Sequence, residues 1–453
     1  MNHPPPAAPA PALADSLRAR AVKRFGRPPE LVLRVPGRVD LLGSHTDYND
    51  LPVLACAIPQ ALYAAAIPLD CPRAEAHNLD PDAPPGSFPV AAAIPPSPIG
   101  HWLNYLKAGT RGAVVHHQPN LPDHGWHALF TADLPRRAGL SSSSALVVAA
   151  GLLTEAANGW QATPRAQAAY LAEAEHYVGT QGGALDHTTI LCGQEGHVLR
   201  IDFAPLVTRP IPFPAGLALA VCHCGRDAGK TAAARAEYNR RVLECRLGAA
   251  QLARGLALAD HDEILAGGLT LGGLLGRAGI TAAGAASTWP QLVVEPLMSV
   301  ADIAHRLGIA ADDLARAPIL RAGAEALTIP GDGLLPARRV AHVLGEAARV
   351  EAAAAALLAR DLPALAEQVN GSYRSARDLY AISSAELDAL IAHGLEAGAL
   401  GARIAGAGFG GCALFLVPAD EIAGWSQLMD RTPAPVGPRW LVHPAAPAGH
   451  VSL

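Results

Sequence analysis

The segment that most constrains this chain runs from residue 127 to 157, HALFTADLPRRAGLSSSSALVVAAGLLTEAA, which reads as a β-strand, a Gly/Ser turn and a long apolar helix. The turn, Leu134-Pro135-Arg136-Arg137-Ala138-Gly139-Leu140-Ser141-Ser142-Ser143-Ser144-Ala145, delivers its serines to the start of that helix. A helix N-terminus carries unsatisfied N–H donors and partial positive charge, so the turn suits phosphate groups. Serines also cap helices without any ligand, and that reading stays open.

Two further segments concentrate polar or glycine residues between regular elements. Residues 31–42 and 51–69 are β-favouring apolar runs on either side of a polar turn. Across Pro36-Gly37-Arg38-Val39-Asp40-Leu41-Leu42-Gly43-Ser44-His45-Thr46-Asp47-Tyr48-Asn49-Asp50, a cation, an imidazole and several carboxylates fall close together. Carboxylates and imidazole suit vicinal hydroxyls, and an Arg suits a developing alkoxide or phosphoryl oxygens. A solvated loop is the alternative. The other segment, Gly401-Ala402-Arg403-Ile404-Ala405-Gly406-Ala407-Gly408-Phe409-Gly410-Gly411-Cys412, reads as a helix-to-strand junction whose glycines allow close approach of a ligand or of another backbone.

With 453 residues, half of them apolar, the chain exceeds the usual size of one domain, and two are expected. The Pro-containing stretch at 205–215 suggests a boundary, giving an N-terminal domain over 26–208 and a C-terminal domain over 209–453. Residues 1–25 are Pro/Ala-rich and turn basic only at their end, unlike a secretory signal, and read as a disordered leader. Residues 255–335, rich in Gly and Ala with weak periodicity, read as a helical insertion. The net charge of -5 with mixed signs offers no basic stripe for nucleic acid. No apolar run reaches the roughly 20 residues of a membrane span. A soluble, cytoplasmic protein is expected. The seven cysteines read as reduced packing residues, and Cys222-His223-Cys224 lacks the second ligand pair of a tetrahedral metal site.

The three motifs, in this order and approximate spacing, resemble the galactokinase branch of the GHMP kinases over residues 30–420. Trp102-Leu103-Asn104-Tyr105, Gly182-Gly183-Ala184-Leu185-Asp186, Ala236-Glu237-Tyr238-Asn239-Arg240-Arg241 and Arg377-Asp378-Leu379-Tyr380 extend the match. The resemblance implies a two-domain α+β fold with the active site between the domains. It also implies transfer of the γ-phosphate of ATP, with Mg²⁺, to the anomeric hydroxyl of galactose or a related galacto-configured sugar. On this resemblance Arg38 and Asp186 are the catalytic pair, and Ser44, His45, Asp47, Gly183 and Tyr238 line the sugar site. Trp102 lies beside adenine, while Gly139, Ser141, Ser142, Ser143, Gly406 and Gly408 serve the nucleotide. Ser143 and Glu175 are the metal ligands, with the choice among Ser141 to Ser144 open.

The chain departs from the family at four positions. Ser44 stands where the family aims a Glu at the sugar C6 hydroxyl, Asp40 where Asn is usual, His187 where Gln is usual, and Arg137 where the phosphate loop has its first Gly. Ser44 tolerates an acidic C6 or a pentose, which brings in galacturonate and L-arabinose as alternatives to galactose. A sensor that binds sugar and ATP without turnover is a further alternative. Gly225-Arg226-Asp227-Ala228-Gly229-Lys230-Thr231 imitates a P-loop but is one residue too short to wrap a phosphate.

Overall fold

The computed structural model describes residues 10–227, 232–322, 325–326, 329–431 and 437–451. Its first sheet is built on two long strands. β1 (Leu31–Leu42) and β2 (Val53–Leu69) pair antiparallel from Leu31 opposite Ala66 to Leu42 opposite Leu54, with register shifts between Pro36 and Arg38 and between Asp40 and Leu42. Each irregularity re-aims side chains, and here they flank Arg38, beside the polar turn. β3 (Arg73–Asn78) and β4 (Gly86–Pro89) extend the far side through β5 (Gly125–Ala132), which pairs with the second half of β2. The first half of β2 pairs instead with β6 (His197–Phe203), and β6 with β7 (Leu206–Pro212).

The prolines at 205–215 suggested a boundary at 208/209, and that boundary falls inside β7. Pro210 and Pro212 are tolerated because β7 pairs only with β6 among the described residues and so is an edge strand. The leader reading is corrected too. Ala10–Phe25 forms helix α1, with Ala14, Leu17 and Ala21 buried against Val32, Ala61, Tyr63, Ala65 and Leu129 of the sheet. The 14/17/21 spacing is one helical face, masked in the sequence by Pro/Ala-rich composition. Residues 1–9 lie outside the described residues.

Four helices, α2 (Leu103–His116), α3 (Ser142–Ala157), α4 (Pro164–Glu175) and α5 (Leu185–Cys192), share a core with the first sheet. They pack tightly: a Cβ on Gly109 would come within 2.0 Å of the Val147 carbonyl oxygen, so α2 and α3 meet backbone to backbone.

A second, four-stranded sheet begins with β8 (Leu217–His223). The long helix α6 (Ala232–Gly255) leads to α7 (His261–Ala266), α8 (Leu271–Ala278), α9 (Ala282–Ala286), α10 (Val300–Leu307), α11 (Ala311–Arg316) and the two-residue strands β9 (Arg321–Ala322) and β10 (Glu325–Ala326). The side chains of Asp260, Thr270, Thr281 and Ser299 cap α7, α8, α9 and α10, which is how a weakly periodic segment still holds short helices. Then come α12 (Pro336–Ala359), α13 (Leu362–Asp378), α14 (Ala385–Glu396), β11 (Gly401–Ala405), β12 (Cys412–Pro418), α15 (Ile422–Asp430) and β13 (Arg439–Val442). The sheet order is β11-β12-β8-β13. The glycine motif therefore joins two antiparallel strands, not a helix to a strand: Gly401 to Ala405 pair with Leu416 to Cys412. The chain returns to the first sheet through β14 (Gly449–His450), beside β1. No described helix is long and apolar enough to cross a membrane.

Candidate active site

Arg38 and Asp186 meet across 148 positions of sequence. Arg38 Nε donates to Asp186 Oδ1 at 2.7 Å, and Nη1 donates to the Gly139 carbonyl at 2.7 Å. Ser141 Oγ donates to Asp186 Oδ2 at 2.7 Å. Burial alone would raise the Asp186 carboxyl, but the charge of Arg38 and the Ser141 hydrogen bond outweigh it and hold the group below its ordinary value. For Arg38 burial works against the charge, and Asp186 and Asp40 more than restore it. A fixed cation and a fixed anion thus sit together where β1, α5 and the phosphate-type turn converge.

Ser141 takes a left-handed conformation, φ 64°, at the N-cap of α3, and among the described residues no side-chain capping hydrogen bond is made at this end of the helix. Its hydroxyl is committed to Asp186 instead. The first-turn N–H groups of α3 are left as donors beside that pair, and Ser142 and Ser143 are partly exposed there. Ser144, not Ser143, faces Glu175: its Oγ lies 2.8 Å from Glu175 Oε2 and 3.2 Å from Asp186 Oδ2. His187 Nε2 lies 3.0 Å from the same Glu175 oxygen. A cluster of hard oxygen donors therefore stands one helical turn inside α3.

The polar turn is largely buried. Asp47 is pushed up to about 6 by burial and then by the charge of Asp186, against the opposing effects of the Tyr48 and Leu185 N–H groups and of Arg38. Gly183 lies flat against it, since a Cβ there would come 2.4 Å from Asp47 Oδ2. The Tyr238 ring from α6 sits 5.5 Å from that of His45. Both His45 ring nitrogens are engaged, Nδ1 with Tyr48 Oη at 3.0 Å and Nε2 with the Ala407 carbonyl at 3.3 Å. Ser44 is only 2 % exposed, and its Oγ is buried without a hydrogen-bond partner among the described residues.

Glu346 and His342 of α12 hold this turn through its main chain, and sequence reasoning missed both. Glu346 Oε1 accepts from the Gly43 N–H at 3.1 Å and the Ser44 N–H at 3.3 Å, while His342 Nε2 donates to the Ser44 carbonyl at 3.1 Å. Burial opposes ionisation of Glu346, but Arg349, His342 and Arg403 prevail and bring it down to about 2. The insertion braces the far end. Thr270 Oγ1 donates to Asp50 Oδ2 at 2.7 Å, and Gly272 lies so close that a Cβ would meet the Asp50 carbonyl oxygen at 2.4 Å.

The glycine-rich loop packs on the phosphate-type turn backbone to backbone. A Cβ on Gly406 would come 2.7 Å from the Gly139 carbonyl oxygen, and one on Gly408 would come 2.5 Å from that of Ile382. Backbone thus makes one close approach to each of these glycines. Asp40, unusual for the resembled family, accepts from the Gly406 N–H at 3.0 Å and pairs with buried Arg403 at 2.9 Å. Trp102 is held by its own contacts: its Nε1 donates to the Pro84 carbonyl and its ring meets Phe130 edge-on. Arg137 holds φ 58° and reaches outward, its Nη1 3.5 Å from Asp227 Oδ2. Ala228, Gly229, Lys230 and Thr231 of the P-loop imitation lie outside the described residues.

Three family models match this chain: the galactokinase galactose-binding signature over residues 22–68, the GHMP kinases N terminal domain over 104–194 and the GHMP kinases C terminal over 353–428. Among curated proteins, a galactokinase of Chloroflexus aggregans is 32% identical, covering 93% of this chain and 95% of its own length. The galactokinase of Homo sapiens is 30% identical, with 90% and 88% covered. Among solved structures, Lactococcus lactis galactokinase complexed with galactose superposes with a TM-score of 0.75 at 20% identity, covering 97% of this chain and 100% of that one. A mevalonate kinase of Methanococcus jannaschii follows at 0.54 and 13%. With relatives 30% and 32% identical over at least 90% of the chain and three matched family models, the chain belongs to the galactokinase family of GHMP kinases.

Proposed function

We propose that this protein is an ATP-dependent sugar 1-kinase acting on galactose. The observation that carries the reading is the Arg38–Asp186 pair at the uncapped N-terminus of α3, with the buried Asp47 turn beside it. The anomeric hydroxyl donates to the ionised Asp186, which takes up its proton as the O1–P bond forms and the bond from Pγ to the β-phosphate oxygen breaks. Arg38 offsets the negative charge that gathers on O1 and the phosphoryl oxygens. Little covalent work is left to the protein, and positioning with charge stabilisation supplies the rate. Asp47 accepts from sugar hydroxyls, Gly183 leaves room for it to do so, and Tyr238 covers the ring. The α3 N–H groups and the hydroxyls of Ser142 and Ser143 receive the phosphates.

Ser144 and Glu175 would hold Mg²⁺, because oxygen donors of this kind, few in number and next to a phosphate site, match its preference for carboxylate, phosphate and water. Bound there, Mg²⁺ would neutralise charge on the β- and γ-oxygens. Galacturonate and L-arabinose are not favoured, since the full-length relatives are galactokinases. Seven unpaired cysteines support action in a reducing compartment, the cytoplasm.

A coupled assay over galactose, galacturonate and L-arabinose tests this. Galactose is expected to release one ADP per sugar 1-phosphate formed, and Asp186→Ala to lower kcat by about 10²- to 10⁴-fold. Sugar binding without ADP release from any of the three would instead make the protein a sensor.

A further inference from the structure

His45 joins the sugar turn to the glycine-rich loop through a ring hydrogen bond, and a row of polar side chains sits behind it. His45 Nδ1 meets Tyr48 Oη at 3.0 Å, Tyr48 Oη meets Tyr380 Oη at 2.6 Å, and Tyr380 Oη meets Cys245 Sγ at 3.2 Å. On its other side His45 Nε2 faces the Ala407 carbonyl at 3.3 Å. A carbonyl can only accept, so Nε2 must carry a proton. Burial, with the charges of His342, Arg241 and Arg403, brings His45 down to about 3 despite the Ala407 hydrogen bond, so the ring is neutral at working pH and Nδ1 is bare.

Every donor in the row then has one assignment. Tyr48 donates to Nδ1, which leaves its oxygen to accept from Tyr380, which in turn leaves the Tyr380 oxygen to accept from the Cys245 thiol. The reverse direction would put a proton on Nδ1 and set the bare Nε2 lone pair against a carbonyl lone pair. Tyr380 is fully buried and clamped: His342 packs 4.3 Å from its ring, Arg339 lies over the ring, and Arg241 Nε donates to its carbonyl at 2.9 Å. Burial pushes the Cys245 thiol up to about 11, so it stays protonated and able to donate.

We propose that Tyr48 and Tyr380 are positioning residues for the reaction: with Cys245 they form a one-directional hydrogen-bond chain that donates to the bare Nδ1 of His45 and so steadies the ring whose Nε2–H pins the sugar turn to the glycine-rich loop at Ala407. The chain starts in α6, passes through the segment after α13 and ends between β11 and β12, so three parts of the second half set one ring of the first. The functional part of the inference rests on the sugar kinase reading, whereas the tautomer does not.

The test uses the full chain labelled with ¹⁵N-histidine. The His45 signals are identified by their loss in His45→Gln, and the ligand-free wild type is expected to show Nε2 protonated and Nδ1 bare at neutral pH. Tyr48→Phe removes the donor to Nδ1 and is expected to leave the proton on Nε2, held there by the Ala407 carbonyl, while moving the Nδ1 resonance toward that of an unbonded lone pair. It should also raise the KM for sugar about tenfold, the equivalent of one lost buried hydrogen bond, with a smaller change in kcat. Tyr380→Phe keeps the Tyr48 hydroxyl and is expected to shift both readouts in the same direction by less, and Cys245→Ala by less again. Should Tyr48→Phe fail to fold, Tyr380→Phe carries the test. An Nδ1–H or doubly protonated His45 in the wild type overturns the inference whatever the activity. So does an Nδ1 resonance that both phenylalanine variants leave unchanged. A kinase inactive on every sugar but showing the expected tautomer would refute the sugar reading and leave the hydrogen-bond chain standing.

Discussion

Replacing Arg403 by Met tests how strongly the glycine-rich loop is tied to β1. In the native protein Arg403 Nη1 donates to the Asp40 carbonyl at 3.0 Å and Nη2 to Asp40 Oδ2 at 2.9 Å, and the two side chains are 1% and 2% exposed. Met fills much of the aliphatic volume but leaves the Asp40 carboxylate buried, with the Gly406 N–H as its remaining hydrogen-bond donor from this set. Removing one partner of a buried ion pair costs about 3–5 kcal/mol. We therefore expect Arg403→Met to lose about 3–5 kcal/mol in urea unfolding at pH 7.5. Adding Asp40→Asn, which removes the charge and keeps an acceptor for the Gly406 N–H, should recover about 2 kcal/mol or more, as expected of groups in direct contact. An Arg403→Met protein within about 0.5 kcal/mol of the wild type, the range of a surface substitution, would refute the argument. So would a double variant no more stable than the single one.

Asp47 gives a pH dependence of definite sign. Its folded value, about 6, lies above the ordinary 3.8, so ionised Asp47 weighs against folding: its effect is absent below about pH 4 and complete above about pH 6. Asp47→Asn should remove that part of the stability profile, measured by denaturant midpoints across pH 4–8. It should also abolish the rise in kcat/KM for sugar expected as the carboxylate forms near pH 6. At the metal site, Ser144→Ala should raise the Mg²⁺ concentration needed for half-maximal rate by about tenfold or more, the order seen when a metal site loses a supporting group. Ser143→Ala should have the smaller effect, and the opposite order would return the ligand role to Ser143.

Much of the architecture was legible because local pattern and burial agreed. β1, β2, α2, α3 and α6 lie where apolar runs or helical periodicity placed them. The failures each have a tertiary cause. α1 was taken for a disordered leader because alanines carry its buried face, and only the sheet beneath makes Ala14, Leu17 and Ala21 a stripe. β7 was split because its prolines are acceptable only at an edge, and edge position is a property of the sheet. What the sequence also could not show is that the backbone of Gly139 and Ile382 lies against Gly406 and Gly408.

The sequence by itself determined the chemistry on offer: which residue types stood at Arg38, Asp47, Asp186 and the Gly/Ser turn, in what order, and that the turn opened a helix. Those are local facts, set by side-chain identity and by the unsatisfied donors of any helix start. Only the tertiary structure decided which serine meets Glu175, that Ser141 serves Asp186 in place of capping α3, and that Glu346, His342, Tyr48 and Tyr380 stand behind the sugar turn. These pairings join residues distant along the chain, and charge and hydrogen bonding act over a few ångströms in space, a distance that a linear order does not encode.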